Sequence, residues 1–189
     1  IMQQVSAIEA KHRQWDSTVW ANELIARDYE ESIIQIWDKL LAGADPFELL
    51  ARMPVNILQL GKPQPTEDWE SNISYTRLAQ GGPSWSKEQL NQALGKWKSE
   101  GWKLDQSEWR HRHFTPGDKV EPSSVFWISL HLINKRLNRR GILRGNITVK
   151  WQSIEITPET LAKPDHIDLS KLDWIQREGD PAFKAASRQ

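Results

Sequence analysis

The run Trp97-Lys-Ser-Glu-Gly-Trp-Lys-Leu-Asp-Gln-Ser-Glu-Trp-Arg-His-Arg-His-Phe114 narrows the available folds more than any other stretch. A helix ends in it at Gly101, and a long alternating strand starts at once with Trp102. Trp97, Trp102 and Trp109 span the junction, which predicts a helix pinned against a sheet. The same stretch holds the densest group of chemically capable side chains: Asp105, Glu108, His111 and His113.

Elements on either side extend the pattern. Residues 1–16 read as an amphipathic arm, with Val5, Ile8, Lys11/His12 and Trp15 on one side. Asp16 or Ser17 can cap a helix reaching Ala42, whose buried stripe is Ala26, Tyr29, Ile33, Ile36/Trp37 and Leu40. Gly43 suits the left-handed position that ends it. Asp45-Pro46 starts a short helix, and Pro54 stops it. Segments 55–61 and 71–79 read as a first strand hairpin across a loop holding Pro63 and Pro65. Ser86 and Gln89 form a capping box flanked by Trp85 and Leu90, and the helix that follows buries Leu90, Ala93, Leu94 and Trp97. Strands are predicted over 102–114, 124–134 and 143–153. The second is apolar on both faces and so central, while Ile147, Val149 and Trp151 give the third one buried face. A final segment, 165–176, reads as an edge strand or a packed arm. The domain division expected is an arm at 1–16, an α+β domain at 17–155 and an edge strand with linker at 156–189.

Composition sets limits on function. The 189 residues carry 25 basic and 25 acidic side chains, so no global field recruits nucleic acid or an anionic membrane. Cysteine is absent, which removes thiol nucleophiles, thiolate metal sites and disulfides. No apolar run approaches the length of a membrane span, and the first twenty residues lack the apolar core of a signal peptide. Eleven tryptophans are spread without a period. They predict an aromatic core or, if exposed, a stacking platform for sugars or bases. Gly-x-Gly-x-x-Gly, Gly-Lys-Ser/Thr, His-Glu-x-x-His and Gly-x-Ser-x-Gly are all missing, so no dinucleotide, nucleotide or serine-hydrolase chemistry is indicated.

The order of helices, one further helix and a long antiparallel meander predicts an α+β domain, with N-terminal helices packed on a curved antiparallel sheet. Over roughly residues 17–153 this order resembles the cone-shaped fold of the nuclear transport factor 2-like superfamily, also called SnoaL-like or cystatin-like. That resemblance implies a sheet curved around the long helix, with a pocket at its open end. A narrower resemblance rests on Tyr29-Glu-Glu-Ser-Ile-Ile-Gln-Ile-Trp-Asp-Lys-Leu40, Gln106-Ser-Glu-Trp-Arg-His111 and Ile175-Gln-Arg-Glu-Gly-Asp-Pro-Ala-Phe183. These phrases are similar to the N-terminal region of bacterial FG-GAP/VCBS-repeat proteins with a UnbV/ASPIC region, akin to cartilage acidic protein. It implies an extracytoplasmic location, periplasmic or secreted, and a downstream repeat domain. The Asp-rich calcium loops of such repeats are not in this chain.

Candidate chemistry is sparse. On a regular strand His111 and His113 share one face, and His131 on the neighbouring strand could complete a metal site with them. Asp105, Glu108, His111 and His131 could instead line a pocket as acid–base groups. Lys135, Arg136, Arg139, Arg140 and Arg144 form a basic cluster around a turn, short of a nucleic-acid surface. Asn72 and Asn146 open Asn-x-Ser/Thr triplets. The reading that follows is a non-catalytic interaction module with no resident cofactor or metal, whose partner is a downstream domain of the same polypeptide or a second copy. Its rivals are a small pocket-binding protein or SnoaL-like acid–base enzyme and, third, a tryptophan-mediated sugar binder.

Overall fold

No glycine or proline occurs before Gly43, and the chain accordingly begins as one uninterrupted helix, α1 (Met2–Leu41), about 60 Å long. In the computed structural model, residues 2–70, 72–117, 121–153 and 160–179 are described, with side chains from Trp20 onward. The expected helix start at Asp16 or Ser17 does not occur. Both residues lie inside α1, where nothing in the backbone forces a break. The side chains proposed for the arm, from Val5 to Trp15, and the ends of the linker segments lie outside the described residues. Gly43 closes the helix at φ +88, and the Gly43 and Ala44 amides donate to the Leu40 and Lys39 carbonyls at 3.0 Å each.

Local capping works as the sequence predicts. Asp45 Oδ1 accepts from the Phe47 and Glu48 amides (2.9 and 3.2 Å) to start α2 (Pro46–Arg52). Ser86 and Gln89 close the capping box of α3 (Lys87–Glu100), and Gly101 ends it in the left-handed region. The two helices are tied together. Lys87 Nζ donates to the carbonyls of Leu50, in the last turn of α2, and of Met53 just beyond it, and burial pushes its ammonium below the usual lysine range. Lys98 reaches Asp45 at 2.8 Å, and that hydrogen bond holds the Asp45 carboxyl below the usual carboxylate range. Leu94 is buried as expected, but Trp97 is 40% exposed and does not pin the junction. Asn134 does so instead: it is 1% exposed, and its side-chain amide donates to Glu100 O at 3.0 Å, where α3 turns into the sheet.

Short strands β1 (Ile57–Gln59), β2 (Lys62–Pro63), β3 (Glu67–Trp69), β4 (Ile73–Ala79) and β5 (Ser84–Trp85) precede α3. After it come β6 (Trp102–Thr115), β7 (Ser123–Asn134), β8 (Arg139–Trp151) and β9 (Pro164–Glu178). The order β2-β4-β9-β8-β7-β6 forms an open, largely antiparallel sheet, and helices plus this sheet make the α+β class plain. Two expectations fail here. Segments 55–61 and 71–79 do not pair with each other. Instead β1 runs parallel to the first part of β9 (Ile57↔His166), while β4 runs antiparallel to its second part (Ile73↔Arg177). For the same reason the C-terminal segment is no edge strand. It lies inside the sheet, with Ile167 and Leu172 buried. These pairings join residues about a hundred positions apart, so local pattern carries no signal for them.

The sheet has an inner face, which α1 covers, and an outer face. Phe126, Ile128, Ile147, Val149 and Trp151 point inward and pack with Tyr29 and Ile33 of α1. The Tyr29 ring sits 5.0 Å from Phe114 and 5.4 Å from Trp151. Trp151, 1% exposed, spends its indole N–H on Ser124 Oγ at 3.0 Å, so the core leaves that donor satisfied.

Candidate functional site

Strand β6 decides where the candidate side chains go, because it is bulged twice against β7. Pairing runs His111↔Phe126 and then His113↔Val125, so Arg112 is the extra residue. Residues directly opposite share a face. Phe126 points inward and Val125 outward, so His111 and His113 fall on opposite faces. This overturns the shared face that regular alternation predicts, because one inserted residue inverts the parity after it.

His111 is part of the core boundary. Its side chain is 11% exposed, its ring stacks on Phe126 at 4.7 Å, and Nδ1 lies 3.6 Å from Glu30 Oε2 of α1. Nε2 is buried without a hydrogen-bond partner among the described residues. The arrangement clamps helix to edge strand and leaves no room for a substrate. His113 is exposed, beside Thr115 Oγ1 at 3.4 Å.

The second bulge falls at Asp105, between Leu104↔Leu132 and Gln106↔His131. His131 itself lies on β7, whose regular pairing with β8 points it to the outer face, where Nε2 lies 3.2 Å from Ser129 Oγ. Glu108 is also outward but is engaged by Arg110, at 2.7 Å to Nε, and the Arg110 guanidinium in turn covers Trp127 at 5.4 Å. The four acid–base candidates are therefore divided: His111 is sealed inside, Glu108 is paired, and only Asp105 and His131 meet. Among the described residues no group of three or more His, Asp or Glu is placed to hold a metal ion, and His111, His113 and His131 do not converge.

Asp105 and His131 meet in a shallow outer-face groove of about 300 Å³. Two rows of side chains crossing the sheet build it. One runs Ile73, Arg177, Arg140, Ile133; the next runs Ile175, Ile142, His131. Isoleucines make the floor, and the two arginines stand side by side. Sequence reasoning passed over Arg177 and placed Arg140 within a turn cluster. That cluster is dispersed: Arg136 donates to Ser99 O at 3.1 Å, Arg139 pairs with Glu178 at 2.6 Å, and Arg140 turns to the opposite face from Arg139. The adjacency of residues 139 and 140 in a strand was the available signal for that split.

The tryptophans do not form the compact aromatic core expected of them. Trp151 alone of those described is fully buried, while Trp20, Trp69 and Trp97 are exposed on three different elements. Trp69 already stacks on Tyr75 (4.9 Å, 9°), so one of its faces is occupied and no sugar platform of paired indoles is formed with it.

Fold and site together define an α+β domain with one long helix over an open sheet and a small polar-rimmed groove on the sheet's far side. No protein-family model matches the chain, and no curated protein or solved structure shows significant similarity to it. Among the described residues no helix is long and apolar enough to cross a membrane.

Proposed function

We propose that this chain is a non-catalytic interaction module, the front domain of a larger extracytoplasmic repeat protein with a cone-like sheet curved around α1. The observation that carries the interaction reading is a second apolar stripe on α1. Trp20, Leu24, Ile34 and Leu41 are 67%, 62%, 37% and 75% exposed. At helical spacing they occupy roughly 100° of arc opposite Tyr29, Ile33 and Ile36, which face the core. A helix that carries large apolar side chains in water opposite its core-facing side, with charged residues set among them, is suited to a partner. The repeat-protein context rests on the three resembling phrases. The acid–base enzyme reading loses ground because the inner face, where a cone fold would bind substrate, is filled by Tyr29, Phe114, Phe126 and Trp151.

The occupant we assign to the α1 stripe is a second copy. Arg27, Glu31 and Asp38 interleave with the apolar positions, and antiparallel self-pairing sets Arg27 of one copy between Glu31 and Asp38 of the other, which offsets the repulsion of the two Glu31 carboxylates at the two-fold axis. The β6 edge is a poorer route to a dimer, since two bulges and Lys103, Asp105, Arg110 and Arg112 disrupt strand addition. Sedimentation equilibrium of the chain and of Leu24→Glu tests this. The expected result is a dimer for the chain and, for the variant, a monomer with the parent's circular dichroism and a Tm independent of concentration. A chain that stays monomeric at high micromolar concentration overturns the assignment.

A further inference from the structure

We infer that the outer-face groove binds a small organic monocarboxylate, with Arg140 and Arg177 holding the carboxylate and the isoleucine floor holding an apolar body. The inference goes beyond the interaction reading and uses a different surface.

Register is the first argument. Arg140 and Arg177 are directly opposite on neighbouring strands, so their side chains leave the same face side by side. Like charges in that position repel and weaken the pairing. Nearby arginines have carboxylates: Arg77 has Asp173 at 3.7 Å, Arg139 has Glu178 at 2.6 Å, and Arg110 has Glu108. The side chains of Arg140 and Arg177 have neither an ion pair nor a hydrogen bond among the described residues. A bound anion removes the repulsion, and two guanidinium forks match the geometry of a planar carboxylate.

Neighbouring residues set the rest of the ligand. Ile73 flanks Arg177, Ile133 flanks Arg140, and Ile142 and Ile175 form the next row. Apolar surface directly beside a cationic pair selects an anion that carries a hydrophobic body over inorganic phosphate. The volume of about 300 Å³ is at the small end of ligand sites. Asp105 stands on the groove wall, and its carboxylate repels a second negative group. That favours one carboxylate over two. His131 shares the wall, with Nε2 held 3.2 Å from Ser129 Oγ.

The test is titration of the full chain, by calorimetry and backbone NMR, with isovalerate, 3-phenylpropionate and octanoate. Controls are 3-phenylpropanamide, succinate and inorganic phosphate. Saturable binding of at least one monocarboxylate is expected, with shifts on β7, β8 and β9. The amide, succinate and phosphate should bind at least tenfold more weakly. Arg140→Gln and Arg177→Gln should each weaken binding at least tenfold. Because each removes one of two repelling charges, the ligand-free variants should melt at or above the parent Tm, which separates lost binding from lost folding. No saturable binding of any of the three acids overturns the assignment. So does equal binding of amide and acid, or retention of parent affinity in both glutamine variants.

Discussion

His111 and His131 lie on adjacent strands, yet they meet different environments. His111 stacks on Phe126 against α1, and its ring is almost wholly out of water. His131 faces the other way, half-buried beside a solvent-open groove. The same contrast separates the two faces of the sheet. Inside, aromatic rings and branched aliphatic chains close on one another and every ring contributes to packing. Outside, Trp127, Ile133, Ile142 and Ile175 are only half covered, and charged groups stand among them. The difference teaches where to look for function. A polar group on the closed face is held for stability, while a polar group on the open face is free to meet a ligand.

Four substitutions probe that contrast, and the largest effect belongs to the closed face. Trp151→Ala should cost about 3–5 kcal/mol in urea unfolding, as expected for removing a fully buried ring. Trp127→Ala, on the open face, should cost far less; equal losses would mean that the two faces do not differ as described. Between these extremes lies a residue on neither face. Asp45→Ala removes the cap of α2 and the tie to Lys98, and should cost about 1–2 kcal/mol at neutral pH. Its sign with pH is defined. The Asp45 carboxyl is held below its ordinary range in the folded chain, chiefly by the Lys98 hydrogen bond. Its stabilisation is complete above the unfolded-state value and is lost as pH falls through the lowered folded value. The gap in stability between parent and variant should therefore close in acid, and a gap that widens there would refute the assignment. The smallest effect sharpens the histidine comparison. His111→Phe should change stability by less than about 1 kcal/mol, because relief of the unpartnered Nε2 offsets the lost contact with Glu30. A large loss would show that His111 does more than pack.

Much of the local structure was legible in the chain. Asp45-Pro46, the Ser86–Gln89 box, Gly43 and Gly101 each act through bonds to residues a few positions away, so their spacing suffices to place helix ends. The buried alternation of Ile147, Val149 and Trp151 was also readable, because period 2 survives in a regular strand. The candidate site was legible only in fragments. Asp105 and His131 were picked out by residue type and do share the groove, but they were grouped with His111, which lies through the sheet from them. Arg177 was not picked out, since its significance exists only opposite Arg140.

What the sequence alone determined is the caps of α2 and α3, the end of α1, the long strands and the α+β class, since capping, periodicity and glycine placement are local properties with local energies. Tertiary structure alone decided the place of β9 between β8 and β4, the face assigned to each histidine, and the pairing of Arg140 with Arg177. The physical reason is that these depend on register between distant strands. A single extra residue, Arg112 or Asp105, inverts which side of the sheet everything beyond it will face.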